Sequence, residues 1–257
     1  MDIYQHFRIE ERPFIDQVLS WKESVETYYE SKLTDFLDPR EQWIFQSIIG
    51  NQSDINLHFF GGLEQTERKR AILSPYYENI TEEHFQIDLL QANYAQRFVQ
   101  LSHRDVLGAL MSQGIQRKKI GDLFVEDGSI QIVVDQSISS FLQLHLTQIK
   151  RANVHFKHVD ISNLQIAKQN WEETLSTVSS LRLDAIIKEI YNISRQKASE
   201  FITRGAIKVN FRIVENPAFQ MEEGDMISFQ KKGRSKIVKI EGKTKKDKWR
   251  ITTAMLK

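Results

Sequence analysis

Between residues 12 and 30 the apolar positions Phe14, Val18, Trp21, Val25 and Tyr28 recur at three- and four-residue steps, which places them on one face of an α-helix. Asp38-Pro39 predicts a second helix, with proline at the first helical position, where no amide hydrogen is needed. Trp43, Ile44, Ile48 and Ile49 supply its apolar side, and Gly50-Asn51 its stop. "INLHFF" (55–60) and "RKRAILSP" (68–75) then read as two strands, with Gly61-Gly62 in the connection between them.

The pattern changes period repeatedly in the next hundred residues. "HFQIDLLQAN" (84–93) reads as a strand and "SHRDVLGALMSQG" (102–114) as a helix. "GDLFVE" and "SIQIVVD" flank Asp127-Gly128, the local signal of a β-hairpin. "SISSFLQLHLTQIK" (137–150) predicts another amphipathic helix, and "ANVHFKHV" (152–159) a closing strand. The order β-α-β-β-α-β is that of ferredoxin-like domains, which RNA-recognition modules also use. The aromatic signature that such modules carry on a central strand is missing, because "GDLFVEDG" offers only Phe124.

Past residue 180 the chain becomes basic. "LRLDAIIKEI" sets Leu183, Ile186, Ile187 and Ile190 on one helical stripe. Ser194 stands where an N-cap would, its hydroxyl able to accept an early helix N–H. Arg195 and Lys197 fall in the first turn of the helix that follows. Cations there oppose the helix dipole, whereas a bound anion would reverse the preference. Ala198, Phe201 and Ile202 form the apolar side, and Gly205 the left-handed cap. Ile207 and Val209 alternate with Lys208 and Asn210 as a short strand. From Leu181 onward there are 18 Lys and Arg against 9 Asp and Glu, a net of +9; the preceding residues carry 17 against 25, a net of −8. A whole-chain charge of +1 therefore hides a basic terminal module that suits a polyanion.

Composition removes several alternatives. Cysteine is absent, which excludes disulfides, thiolate zinc sites and cysteine nucleophiles and fits a reducing compartment. No run of eighteen apolar residues and no basic-then-apolar leader is read, so neither a membrane span nor a signal peptide is expected. His103-Arg104-Asp105 resembles a kinase loop, but Leu110 stands where asparagine is needed. A capping box between Ser102 and Asp105 accounts for it. His155 and His158, three apart in a strand, point to opposite faces, so no metal is expected.

The identities and spacing of Arg182-Leu183-Asp184, Ser194-Arg195, Ala198, Ile202, Gly205, Ile207, Val209-Asn210 and Gly224-Asp225 resemble the small RNA-binding domain named after small-subunit ribosomal protein four. Phe211 departs from it, where many members place glycine. With "LSHRDVLGALMSQGIQRKKIGDLFV" in the middle, the whole chain resembles the bacterial YlmH family. The resemblance implies an α+β chain in three parts: an N-terminal helical or α/β domain (1–77), a ferredoxin-like, RRM-like βαββαβ domain (78–170) and an αα-plus-sheet RNA-binding domain (181–257). It also implies a cytoplasmic, monomeric, non-catalytic factor without cofactor or metal. Its partners would be rRNA and tRNA of the large ribosomal subunit and other quality-control factors, in the rescue of stalled peptidyl-tRNA complexes.

The expected RNA contacts are Arg182, Ser194, Arg195, Lys197, Arg204, Lys208, Asn210, Arg212, Lys231, Lys232, Arg234 and Lys236. A second contact is expected at Arg104, Arg117, Lys118 and Lys119. The alternative is an RNA-modifying enzyme of the pseudouridine synthase or methyltransferase type that uses the terminal module to hold its substrate. Against it, Gly61-Gly62 lacks the spacing of a methyltransferase turn. The triplet Arg182-Leu183-Asp184, which a pseudouridine synthase would need, has no catalytic domain around it. A third reading, an adaptor of the cell-division machinery, gives a +9 module no task.

Overall fold

The computed structural model describes residues 3–50, 54–165 and 170–256, and the chain divides into two compact units, Met1–Ala167 and Lys168–Lys257. In the first, α1 (Arg12–Tyr28) buries Phe14, Ile15, Val18 and Val25. Trp21 packs edge-on against Phe14 and tilted against Phe45, at centroid distances of 6.2 and 5.6 Å. Tyr28, expected on the same face, is instead 69% exposed in the last turn. Helix α2 (Pro39–Ile49) starts as predicted. Asp38 accepts the Glu41 N–H at 2.9 Å, and Glu41 accepts the Asp38 N–H at 2.8 Å. It buries Ile44, Phe45, Ile48 and Ile49, while Trp43 lies at the surface with the Arg40 guanidinium 4.4 Å over its ring. Asn51 lies outside the described residues. Strands β1 (Lys32–Leu33), β2 (Ile55–Phe60) and β3 (Arg70–Pro75) form an antiparallel sheet in the order β1-β3-β2.

The same unit contains β4 (Ile87–Asn93), α3 (His103–Ser112), β5 (Ile120–Glu126), β6 (Ser129–Asp135), α4 (Gln136–His145), β7 (Gln148–Ile149), β8 (Ala152–Asn153) and β9 (Lys157–Val159). The order β5-β6-β4-β9, antiparallel throughout, is the ferredoxin-like arrangement. Helix α4 ends five residues before the expected Lys150. The buried Leu142, Leu146 and Ile149 keep a helical spacing, so the early end is set by the hairpin that follows rather than by the local pattern. The chain accordingly turns through Lys150 (φ +52°) into the β7–β8 hairpin, which buries Leu146 and Ile149. Only Lys157–Val159 of the expected closing strand pairs with β4.

One side of this sheet packs Leu90, Ile130 and Ile132 against Val106, Leu110 and Leu142 of the helices. The other side is covered by the chain itself. Phe36, from the connection between β1 and α2, joins Leu89, Val133 and Leu164 in a second buried cluster. Its N–H donates to the Lys118 carbonyl at 2.8 Å. A Cβ on Gly121 would stand 2.8 Å from its ring, so only glycine leaves room for it. The Asp122 carboxylate accepts the N–H groups of Glu67 and Arg68 at 2.6 and 3.0 Å. Arg70 lies 3.3 Å from Asp135. These bonds tie the N-terminal sheet to the ferredoxin-like sheet.

The second unit contains β10 (Trp171–Val178), α5 (Leu183–Tyr191), α6 (Arg195–Thr203), β11 (Ile207–Val209), β12 (Arg212–Ile213), β13 (Met226–Phe229), β14 (Gly233–Lys243) and β15 (Trp249–Leu256). Its sheet runs β10-β15-β14-β13-β11-β12. The unit thus takes in a strand that precedes the expected start at 181. Ile186, Ile187, Ala198 and Ile202 of the helix pair pack on Ile227, Phe229, Ile237 and Ile251, so α5 and α6 cover one side of the sheet.

Phe36→Ala removes the ring that joins the two sheets of the first unit. The expected cost is about 3–5 kcal/mol, read as faster hydrogen exchange of the β4 and β6 amides relative to those of the terminal sheet.

Candidate nucleic-acid interface

Arg182 occupies the N-cap of α5 in extended backbone. The next two amides are satisfied by chain rather than by a capping side chain: Leu183 donates to the Phe219 carbonyl at 2.9 Å and Asp184 to that of Pro217 at 3.1 Å. These bonds fix Asp184 in the first turn, with its side chain only 3% exposed. Both carboxylate oxygens face guanidinium groups. Arg182 donates through Nε and Nη2 at 3.2 and 3.0 Å, and Arg195 through the same two atoms at 3.0 and 3.3 Å. Burial works to raise the Asp184 pKa, and the hydrogen bonds from Arg195 and Arg182 outweigh it, so the carboxyl lies below its ordinary value. The arginines keep 38% and 51% of their side-chain surface. One buried anion thus orients two half-exposed cations.

This arrangement revises one inference from sequence. The basic start of α6 does not by itself demand an external anion, because Asp184 supplies an internal one. One negative charge serves two positive ones, however, and the surplus faces solvent. Ser194 caps α6 as expected, its Oγ accepting the Lys197 N–H at 3.2 Å, while the Lys197 side chain is exposed. Arg204 ends the helix, also exposed, and Gly205 follows at φ +69°.

Asn210, expected among the RNA contacts, has both ends of its amide engaged in the fold. Its Nδ2 donates to Asp225 at 2.7 Å, and its Oδ1 accepts the Met226 N–H at 2.9 Å. Asp225, 2% exposed, also accepts the Glu222 N–H at 2.8 Å. The Val209-Asn210 and Gly224-Asp225 pairs of the sequence are therefore the two halves of a latch. Phe211 adopts φ +67° in the turn where glycine would be unstrained, with the Arg234 guanidinium 5.8 Å over its ring.

The remaining expected contacts do not share one face. Lys208 is paired with Ser228, and Ser228 with Arg234. Lys208, Arg234 and Lys236 alternate with the buried Val209, Ser235 and Ile237, so they lie on the side of the sheet away from the helices. Lys231 (φ +67°) and Lys232 sit in the turn joining β13 to β14, with the Lys232 Nζ 5.8 Å over the Phe229 ring. Arg212 is exposed on β12.

Three of the four residues expected to form a second contact are tied into the first unit. Arg117 donates to the carbonyls of Ile120 and Gly121. Lys118 pairs with Asp35 at 3.1 Å, and Lys119 with both Asp35 and Asp135 at 2.8 Å. Arg104 is exposed. The capping box between Ser102 and Asp105 is present, and Lys150 at 2.7 Å is the main reason that the Asp105 carboxyl falls to about 2. His158 sits 3.2 Å from Asp88. The sheet face on which RNA-recognition modules stack bases is occupied here by Phe36 and Leu164. Beside them Gln131, 2% exposed, donates to Gln91 and to the Asn163 carbonyl and accepts the Gln165 N–H.

A buried carboxylate under two guanidiniums, a helix pair on one side of a mixed-length sheet and the Asn–Asp latch place the terminal unit in the class of S4 RNA-binding domains. The description "S4 domain" matches residues 181–227. "Putative RNA-binding domain in YlmH" matches 81–163, and "YlmH, N-terminal" matches 10–77. A protein of Bacillus subtilis (strain 168), "Ribosome-associated protein quality control protein P2", is 47% identical over 251 residues, covering 98% of this chain and 97% of its own. The solved structure "Cell division protein ylmH from Streptococcus pneumoniae" is 31% identical with a TM-score of 0.53, covering 62% of this chain and 97% of its own. The chain belongs to the YlmH family.

Asp184→Asn leaves both guanidiniums without their shared counter-charge. It is expected to cost about 1–3 kcal/mol in urea unfolding of the terminal unit. Because the folded pKa of Asp184 is lowered from 3.8, its contribution is present above that value and is lost as pH falls through the folded pKa. The gap between wild type and Asp184→Asn should therefore stay flat from neutrality to about pH 5 and close at more acid pH.

Proposed function

We propose that this chain is a non-catalytic RNA-binding factor of the bacterial cytoplasm, acting on rRNA and tRNA at the large ribosomal subunit in quality control of stalled peptidyl-tRNA complexes. The observation that carries the reading is the pair of half-exposed guanidiniums fixed by Asp184. Pre-oriented forks match phosphate oxygens bidentately and lose little freedom on binding. Lys197 and Arg204 extend the same helix pair. Affinity comes from phosphate contacts and counterion release, and selectivity from the shape of a folded RNA element. The printed name of the Bacillus relative supports the ribosomal setting.

The enzymatic alternative finds little to work with. The aspartate of the Arg-Leu-Asp triplet, the group a pseudouridine synthase would use, is buried with both oxygens held by guanidiniums. It is unsuited to attack a base. In this reading the first unit contributes through surfaces other than its covered sheet, and the factor holds an RNA conformation without making or breaking bonds.

Sucrose-gradient sedimentation of lysate tests the proposal, with wild type beside a folded Arg182→Ala, Arg195→Ala, Lys197→Ala variant. Wild type is expected with free large subunits and the variant at the top of the gradient. Equal sedimentation of both would move the grip elsewhere, and wild type at the top would remove the ribosomal reading.

A further inference from the structure

We propose that the side of the terminal sheet away from the helices is a second RNA surface, which takes an unpaired strand independently of the Asp184 fork. This rests on the RNA-binding reading above and adds a substrate class to it. Residues 228–256 and 171–178, which build most of this face, lie outside the S4 match at 181–227.

Register fixes which residues share the face. Lys208, Ser228 and Arg234 form one row across three strands. Met226, Lys236, Ala254 and Glu173 form the next. A β-bulge between Ile237 and Lys239 shifts the phase, so Lys239 joins the face rather than passing to the helix side. Its row continues through Thr252 to Leu175, and Arg250 stands opposite Thr177 in the next. Five cations, Lys208, Arg234, Lys236, Lys239 and Arg250, thus share one side of the sheet. Glu173 lies among them, and Glu241 sits 3.5 Å from Lys239. Lys239 keeps 61% of its side-chain surface.

Rings stand at both ends of this basic field. Lys236 lies 4.7 Å over Trp171 on one edge, and Arg234 lies 5.8 Å over Phe211 at the other. Leu175, 64% exposed, lies on the same strand and face as Trp171, beyond Glu173. From β11 to β10 there are four strand spacings, about 19 Å, room for a short run of nucleotides. Phosphates of any RNA would meet the cations, but a duplex hides its base faces. An unpaired strand offers bases to rings and phosphates to ammonium groups together. An acidic polypeptide would satisfy the charge and leave Trp171 and Phe211 without a role. Phe211 holds a left-handed backbone that glycine would adopt without strain, so Phe211→Gly removes a ring while favouring the turn.

The test uses the full chain and a short fluorescein-labelled oligouridylate, read by anisotropy across a salt series. Arg234→Gln, Lys236→Gln, Lys239→Gln together should weaken binding roughly tenfold or more and lower the salt slope by about 2, three phosphate contacts at the single-strand value. Loss of three exposed cations of the first unit, Lys32→Gln, Arg151→Gln, Lys157→Gln, should leave it within about twofold. Phe211→Gly should lose several-fold affinity with no drop in melting temperature. The inference is overturned if the sheet variant binds like wild type. Displacement of the oligonucleotide by polyglutamate at equal charge concentration would also overturn it, and would assign the face to an acidic polypeptide. Sedimentation separates the two readings. Wild type that travels with large subunits but ignores the oligonucleotide defeats this inference alone, and wild type that binds neither defeats the function as well.

Discussion

The terminal unit depends on one carboxylate. Asp184 is removed from water in the first turn of α5, a placement that a lone charge could not sustain, and four hydrogen bonds from two guanidiniums compensate it. One of those guanidiniums belongs to α5's own cap and the other to the start of α6, so the ion cluster also sets how the two helices meet. The same bonds that stabilise the fold aim two positive groups outward. The fold and the display of these two cations are therefore not separable, and a change at Asp184 is felt by both.

The first unit makes the opposite use of a familiar architecture. Its ferredoxin-like sheet has the strand order of RNA-recognition modules, yet the face those modules use for bases is closed by Phe36, Leu164 and the Gln131 hydrogen bonds. The basic run Arg117-Lys118-Lys119 is drawn into bonds with Asp35, Asp135 and backbone carbonyls. Much of the charge in this run is paired within the unit, while Lys118 keeps 56% of its side-chain surface. A shared fold carries no guarantee of a shared surface.

What was legible in the sequence followed from local rules. The helix start at Asp38-Pro39, the capping box at Ser102, the βαββαβ order and the cap at Ser194 are each determined within a few residues, and the structure contains them. What was not legible needed knowledge of partners far along the chain. The end of α4 at His145 depends on a hairpin that buries Leu146 and Ile149. The membership of β10 in the terminal sheet depends on β15. The separation of Arg182 and Arg195 from Lys208, Arg234 and Lys236 depends on which side of a sheet the helices cover. Asn210 was visible as a motif residue, but its role as a latch appears only when Asp225 is beside it.

The position of β15 has a consequence for how this unit comes together. Among the described residues it follows the other strands of this unit, and yet it lies inside the sheet, between β10 and β14. Contacts such as that between Thr174 and Thr253 join residues 79 positions apart. Loops of that length close slowly, whereas a helix hairpin forms from neighbours. The helix pair with its arginine fork can therefore nucleate early. The β14–β15 hairpin is local in the same way, so the long closure in this sheet is the docking of β10 onto β15.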